Sequence, residues 1–177
     1  MTAAQDQQLM RAALAEAELA LAAGEFPVGC VLAQQDGRIL AQGRRTNSGS
    51  ASRNELDHAE IVTLRGLLAA QPGLDCSCVT CYSTLEPCLM CYSTMLLSGI
   101  RRFVWAYEDA MGGGTSVPLA QLAPLYREMQ IELLPGLLRR ESIALFAQFF
   151  QEHSYWQDSL LSTFTLAEHQ RLQSENG

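Results

Sequence analysis

The sequence predicts an α/β protein in which a sheet is covered by helices on both faces. Two observations predict it. Segments of helical periodicity alternate with short β-rich runs along the chain, and the breaks between them fall at Gly, Pro and Asp/Asn turn residues. The 177 residues, 48% of them hydrophobic, suit one domain with a substantial core.

The elements follow in order. Thr2-x-x-Gln5 has the form of a capping box, and Leu9, Ala13, Ala17 and Leu21 recur at helical spacing, so a first helix begins here and Gly24 ends it. Pro27 then leads into two strands, Val28 to Gln34 and Arg38 to Gln42, joined around the hairpin signal Asp36-Gly37. Residues 44–57 form a long polar connection rich in Ser, Asn and Gly, of a kind kept in compact domains for function or tolerated as disorder. Its Arg44, Arg45 and Arg53 could hold a phosphate or form a solvated charge cluster.

A second helix runs from His58 through Ile61, Leu64, Leu67 and Leu68 to Ala70, where Gln71-Pro72-Gly73 terminates it. Cys78 to Thr84 reads as a strand, a third helix runs from Pro87 to about Leu97 with Gly99 as its left-handed cap, and Arg102 to Ala106 is a buried-type strand. Residues 107–116 are a Gly-rich loop, Pro118 and Pro124 interrupt the next helical stretch, and Ile131 to Leu134 is a fifth strand candidate. A helix over Leu137 to Gln151 buries Ile143, Phe146, Ala147 and Phe150 on one face. The body is thus expected over 1–151. The tail, 152–177, carries Tyr155, Trp156 and Phe164 and is too apolar for a linker, so it is either a flap over a pocket or a packing extension.

The chemistry concentrates at two helix starts. Cys88 and Cys91, at i and i+3, point the same way and can reach one ion, and Pro87 at a first helical position would put both thiols where the helix dipole favours thiolate. His58 follows Asp57, a good N-cap, and can supply a third ligand. Three protein ligands leave a tetrahedral zinc one position for water, and Glu60 is then free to carry protons. The competing readings are a capping box in Asp57-x-x-Glu60, and either buried small hydrophobes or a redox pair for the two cysteines. Cys76, Cys78 and Cys81 are expected to be core or strand residues, since positions three apart in a strand face opposite sides.

Phe26-Pro27-Val28-Gly29, His58-Ala59-Glu60-Ile61, Thr84-Leu85-Glu86-Pro87-Cys88-Leu89-Met90-Cys91 and Ser98-Gly99-Ile100-Arg101-Arg102 resemble the corresponding segments of the cytidine deaminase-like superfamily. The nearest likeness is to its tRNA-adenosine and guanine deaminase branch. The resemblance spans roughly residues 5–150 and implies a mixed five-stranded sheet between helices, a zinc ion on His58, Cys88 and Cys91, Glu60 as the proton shuttle, and a homodimer. It implies substrate contacts from Phe26, Val28 and Asp109, and from an asparagine after the second strand. Asn47 is the candidate for the last, although the family places it nearer the strand's closing glycine, here Gly43. Asn54 is the competitor. The tRNA branch commonly has Pro-Thr-Ala where this chain has Asn54-Glu55-Leu56-Asp57.

The implied reaction is hydrolytic deamination of a nucleobase. The motifs are tRNA adenosine deaminase-like, but a net charge of −7, a pI near 4.9 and an acidic tail argue against phosphate contacts and for a free base or nucleoside such as guanine or cytosine. Every basic residue is an arginine. A noncatalytic zinc-stabilised binding domain would close its site with a fourth ligand, and a thiol oxidoreductase would need neither His58 nor Glu60. No run has the length of a membrane span and the amino terminus does not read as a secretory signal, so a cytoplasmic protein is expected.

Overall fold

The computed structural model describes residues 1–49 and 53–175. Its centre is a five-stranded sheet in the order β2-β1-β3-β4-β5, formed by β1 (Gly29–Gln34), β2 (Ile39–Arg44), β3 (Val79–Leu85), β4 (Arg102–Tyr107) and β5 (Glu132–Leu134). β1 runs antiparallel to β2 and β3, while β3, β4 and β5 are mutually parallel. The antiparallel pair needs only the turn at Gly37, whose φ of 92° suits glycine. The parallel pair needs a crossover, and α3 (Leu89–Leu97) supplies it between β3 and β4.

Alternation along the strands sorts side chains to two faces. Val31, Ala33, Tyr82, Val104 and Ala106 meet Leu9, Met10, Ala13 and Leu14 of α1 (Ala3–Ala22). The approach is close because Gly29 lacks a side chain: a Cβ there would lie 2.0 Å from the Ala13 carbonyl oxygen. The opposite face, with Cys30, Leu32, Cys81, Phe103 and Trp105, packs on Leu64 and Leu67 of α2 (Ala59–Ala70) and on Tyr92, Met95 and Leu96 of α3. This is the mixed, helix-covered sheet that the alternation and the resemblance imply. Cys30 and Cys81 are buried strand residues, whereas Cys76 and Cys78 lie in a single 3₁₀ turn just before β3. After β4 come a one-turn α4 (Pro124–Arg127) and then β5.

The helix boundaries correct the sequence reading at its most important point. α2 starts at Ala59 and α3 at Leu89, leaving His58 and Cys88 as the N-cap residues with extended backbones at ψ 149° and 168°. Pro87 therefore precedes the cap instead of opening the helix, and Asp57 caps nothing. Its carboxylate is occupied by the side-chain amides of Asn47 and Asn54, at 2.6 and 2.7 Å. The physical reason is competition: two amide donors reach the carboxylate before the helix N–H groups do.

The chain after β5 folds back as α5 (Arg139–Glu152) and α6 (Leu160–Ser174). Phe146, Phe149 and Phe150 of α5 surround Phe26 edge-on at 5.1, 5.3 and 6.0 Å between ring centroids. α6 buries Leu161 and Thr165, and Tyr107 hydrogen-bonds Thr165 at 2.8 Å, so this part of the tail packs on the body. Among the described residues no helix is long and apolar enough to cross a membrane.

One polar network ties α1 to the sheet. Asp6 accepts hydrogen bonds from Tyr82 at 2.5 Å and from both terminal nitrogens of Arg102 at 2.9 and 3.0 Å. Burial by itself would raise the Asp6 pKa, but the bonds from Arg102 and Tyr82 outweigh it and hold the carboxyl below its usual range. A depressed carboxylate contributes stability above its unfolded pKa and loses it as pH falls through the folded value. We expect Asp6→Asn to cost about 3 kcal/mol of unfolding free energy at neutral pH, with the deficit shrinking below about pH 4, read from denaturant titrations across pH.

Candidate active site

The N-caps of α2 and α3 face each other at the end of β3, and this brings three metal-binding side chains together. His58 Nδ1 lies 3.5 Å from Cys88 Sγ and 3.5 Å from Cys91 Sγ, and all three donor atoms fall within 4.8 Å of one another. No other group of three His, Cys, Asp or Glu donors meets that criterion among the described residues. The separations fit a zinc ion: bonds of about 2.0 Å to nitrogen and about 2.3 Å to sulfur at tetrahedral angles separate nitrogen from sulfur by about 3.5 Å. The set contains three donors, which suits a centre with one position left for a reactant.

Electrostatics favour the same conclusion. The Cys88 thiol is drawn down to about 4, first by the hydrogen bond from Cys91 and, against the opposing effect of burial, by His58. The Cys91 thiol is pushed up, because ionised Cys88 accepts its proton and burial disfavours a second charge. Burial opposes charge on His58, yet contact with Cys88 and the charge of Glu60 carry its pKa above the usual value. Cys88 is thus the donor held as a thiolate, the form in which sulfur binds a metal ion.

Glu60 sits beside it, 3% exposed, in the first turn of α2. Its Oε2 accepts from Cys91 Sγ at 3.6 Å and its Oε1 from Ser83 at 3.2 Å. The capping-box alternative fails, since neither Asp57 nor His58 makes a side-chain cap for α2. Burial raises the Glu60 pKa, the direction required of a carboxyl that picks up and releases protons near neutral pH.

These groups open on a cavity of about 230 Å³ whose wall includes Phe26, Val28, Leu85, His58, Glu60 and Cys88. Asp109 and Gly112, from the loop after β4, form another side. That loop is pressed against the cysteine turn: a Cβ at Gly114 would lie 2.5 Å from the Leu89 nitrogen, and one at Gly113 2.5 Å from the Glu86 carboxylate. Glu86 holds the loop by accepting from Asp109 N and Thr115 N at 3.3 and 3.2 Å and from the Thr115 hydroxyl. Sequence reasoning did not single out Glu86; three consecutive glycines beside an acidic residue two positions before Cys88 were the available signal.

The asparagines are placed elsewhere. Asn47 directs its amide to Asp57, Asn54 does the same while its Oδ1 accepts from Leu56 N and Asp57 N, and neither belongs to the cavity wall. Asp109 does line it, with Oδ1 accepting from Met111 N at 3.0 Å and Gly112 N at 2.8 Å. The three loop arginines do not form one basic cluster. Arg44 pairs with Glu16 at 2.9 Å, Arg53 lies over the Tyr155 ring at 5.1 Å, and Arg45 is buried in the cavity wall. From the tail, Tyr155, Trp156 and Leu161 add to the wall, with Tyr155 Oη donating to Glu55 at 2.9 Å.

Residues 3–107 match the cytidine and deoxycytidylate deaminase zinc-binding region. The chain belongs to this family. The tRNA-specific adenosine deaminase of Bacillus subtilis is 31% identical over 148 residues, covering 84% of this chain and 90% of that protein, and the Agrobacterium fabrum protein of the same name is 34% identical, covering 84% and 96%. A solved deaminase that performs A-to-I editing at the wobble position of transfer RNA superposes with a TM-score of 0.62 at 29% identity, over 78% of this chain and 98% of that one. The guanine deaminase of Nitrosomonas europaea shares the fold, with a TM-score of 0.64 at 22% identity over 81% and 83%. The chain is therefore a member of a deaminase family that acts on C–N bonds, tRNA adenosine deaminase-like in its motifs.

If the three donors hold a metal, losing one should abolish binding. We expect purified protein to contain about one zinc per chain and His58→Ala or Cys91→Ala to contain less than about a tenth of that by atomic emission; a chelator should lower the melting temperature of the parent and leave these variants unmoved.

Proposed function

We propose that the protein is a zinc-dependent hydrolytic deaminase of a nucleobase, converting an amidine C–NH₂ to C=O with release of ammonia. The observation that carries this reading is the buried carboxyl of Glu60 set against a three-donor His58, Cys88 and Cys91 site, with His58, Glu60 and Cys88 lining one cavity. Zinc held by those side chains would supply Lewis acidity that brings the ionisation of water toward neutral pH.

The protein's own groups do the rest. Glu60 accepts a proton from the attacking water, whose oxygen forms the new bond to the amidine carbon, and passes that proton to the adjacent ring nitrogen. The remaining proton of that oxygen is then taken by the same carboxyl and delivered to the amino group as the C–N bond breaks, leaving C=O and ammonia. Ser83 orients Glu60 through Oε1, which leaves Oε2 on the metal side. Phe26, Val28 and Leu85 present apolar surface to a flat base, and Asp109 offers a carboxylate to its edge.

The motifs and relatives support an adenosine within tRNA as substrate. A free base or nucleoside is the second reading, favoured by a specific observation: Tyr155 and Trp156 of the chain's own tail form part of the cavity wall, where a polynucleotide would need an open approach. The acidic chain favours it too. Six unpaired cysteines accord with a reducing, cytoplasmic setting.

Glu60→Gln should keep its zinc and lose activity by about 10³-fold, measured as ammonia release. Substantial turnover by that variant would overturn the role of Glu60. Assaying the parent against free bases, their nucleosides and an adenosine-containing anticodon stem-loop separates the two substrate readings, since only the first requires the stem-loop.

A further inference from the structure

The loop after β4 lies against the cysteine turn, and one side chain holds both of its ends. Glu86 accepts through Oε2 from Asp109 N at 3.3 Å, and through Oε1 from Thr115 N at 3.2 Å and from the Thr115 hydroxyl. Its own backbone N–H donates to the Tyr107 carbonyl at 2.7 Å, so a single residue fixes the segment where it leaves the sheet, at Asp109 and at Thr115. The residues that follow extend the contact to the metal site. The Pro87 carbonyl accepts from Gly114 N at 2.9 Å, and Cys88 pairs with Gly113 in an isolated antiparallel bridge. The loop is thus referenced to the backbone of a candidate zinc ligand.

Each of the three glycines answers to a different part of this contact. A Cβ on Gly112 would lie 3.0 Å from Asp109 Oδ2, one on Gly113 2.5 Å from Glu86 Oε2, and one on Gly114 2.5 Å from the Leu89 nitrogen. None of the three has a left-handed backbone, so close approach accounts for them and turn geometry does not. What the loop delivers to the cavity is Asp109, Met111 and Gly112. Thr115 is 8% exposed and stands outside the wall. Glu86 does line the cavity, but three donors already occupy most of the roughly four acceptor positions of its carboxylate, which leaves little for a ligand.

Resting on the deaminase reading of this site, we propose that Glu86 is a positioning residue: by joining Asp109 and Thr115 to the cysteine turn it fixes one wall of the cavity relative to the zinc-ligand cluster, and a substrate senses it through that wall. Charge-assisted bonds from a carboxylate to backbone N–H groups are stronger than neutral ones, which suits a loop with little regular structure of its own. A contact offered by Asp109 helps a substrate only while the carboxylate is held in place, and small misplacements of such groups are costly.

The test is a double-mutant cycle of Glu86→Ala and Thr115→Val in the zinc-loaded full chain, assayed with whichever free base, nucleoside or stem-loop the parent deaminates best. Because Thr115 stands outside the wall, its loss reaches a substrate only through the loop. We expect Glu86→Ala to raise KM about tenfold and Thr115→Val about fivefold, with kcat within about threefold of the parent and zinc content unchanged. The double variant should be no worse than Glu86→Ala, since both changes break one connection, and Glu86→Gln, which keeps an acceptor for Thr115, should fall between parent and Glu86→Ala. Amide hydrogen exchange over 109–115 should quicken about tenfold in both single variants while α2 and α3 keep their rates. If Glu86→Ala does not fold, Thr115→Val alone decides. An unchanged KM in Thr115→Val, additive effects in the cycle, unchanged exchange in the loop, or loss of zinc from Glu86→Ala would each overturn the assignment. Absence of ammonia release by the parent from every substrate would instead overturn the deaminase reading, and the exchange rates would still decide whether Glu86 holds the loop.

Discussion

Three donor atoms from two different helices must fall within one coordination sphere, and much of the architecture serves that meeting. An imidazole at the cap of α2 and a thiol at the cap of α3 converge only if both helices start at the same end of the sheet and lie on the same face of it. The close approach of α2 to β2 is set by Gly43, where a Cβ would stand 2.6 Å from the Thr63 hydroxyl. α3 is fixed at its far end by a left-handed Gly99, with Gly99 N–H bonding to Leu96 and Ile100 N–H to Met95, a Schellman closure that sends the chain straight into β4. Cap positions suit ligands because the extended backbone there turns the side chain off the helix, while the unpaired amides of the first turn favour negative charge beside it.

The clustering of His58, Cys88 and Cys91 beside Glu60 was legible in part because short covalent spacing governs it: two residues from His58 to Glu60, three from Cys88 to Cys91. The exact cap was not, since Asp57 and Pro87 each have a strong local preference that a neighbour overrides. Asp57 is taken by two asparagine amides, a contact across ten residues for Asn47 that no local pattern encodes. The strands and helices of the body were legible for the usual reason, that burial of one face imposes a period. The tail announced only that it was apolar; that Tyr155 would meet Phe26 and Glu55 depends on a contact across about a hundred residues.

Arg45 illustrates the opposite failure. An arginine in a polar loop beside two others reads as a solvated charge, and two of the three are spent on the surface against Glu16 and the Tyr155 ring. What distinguishes the third is burial, which is a property of the folded chain alone. Most arginines with described partners are likewise committed within the protein: Arg102 to Asp6 and Glu132, Arg139 to Glu108 and Glu168, Arg171 to Glu168 and Glu175. An RNA-binding surface is built from cations that exchange small counterions for phosphates, and a cation already paired with a carboxylate must first give that partner up. Internal pairing and an excess of acid therefore act in the same direction, against a broad phosphate-binding surface on the described residues.

The tail supplies part of the wall of the same cavity. Trp156 lines the cavity while its backbone adopts φ 55°, a left-handed conformation that costs a bulky residue on the order of 1 kcal/mol and persists only where the surroundings impose it. Those surroundings are identifiable. Tyr155 is wedged against Phe26 and Phe149, lies under the Arg53 guanidinium and donates to Glu55, the same carboxylate that steadies Arg45. The turn that lines the cavity and the guanidinium in its wall thus share one acidic residue on the loop between β2 and α2.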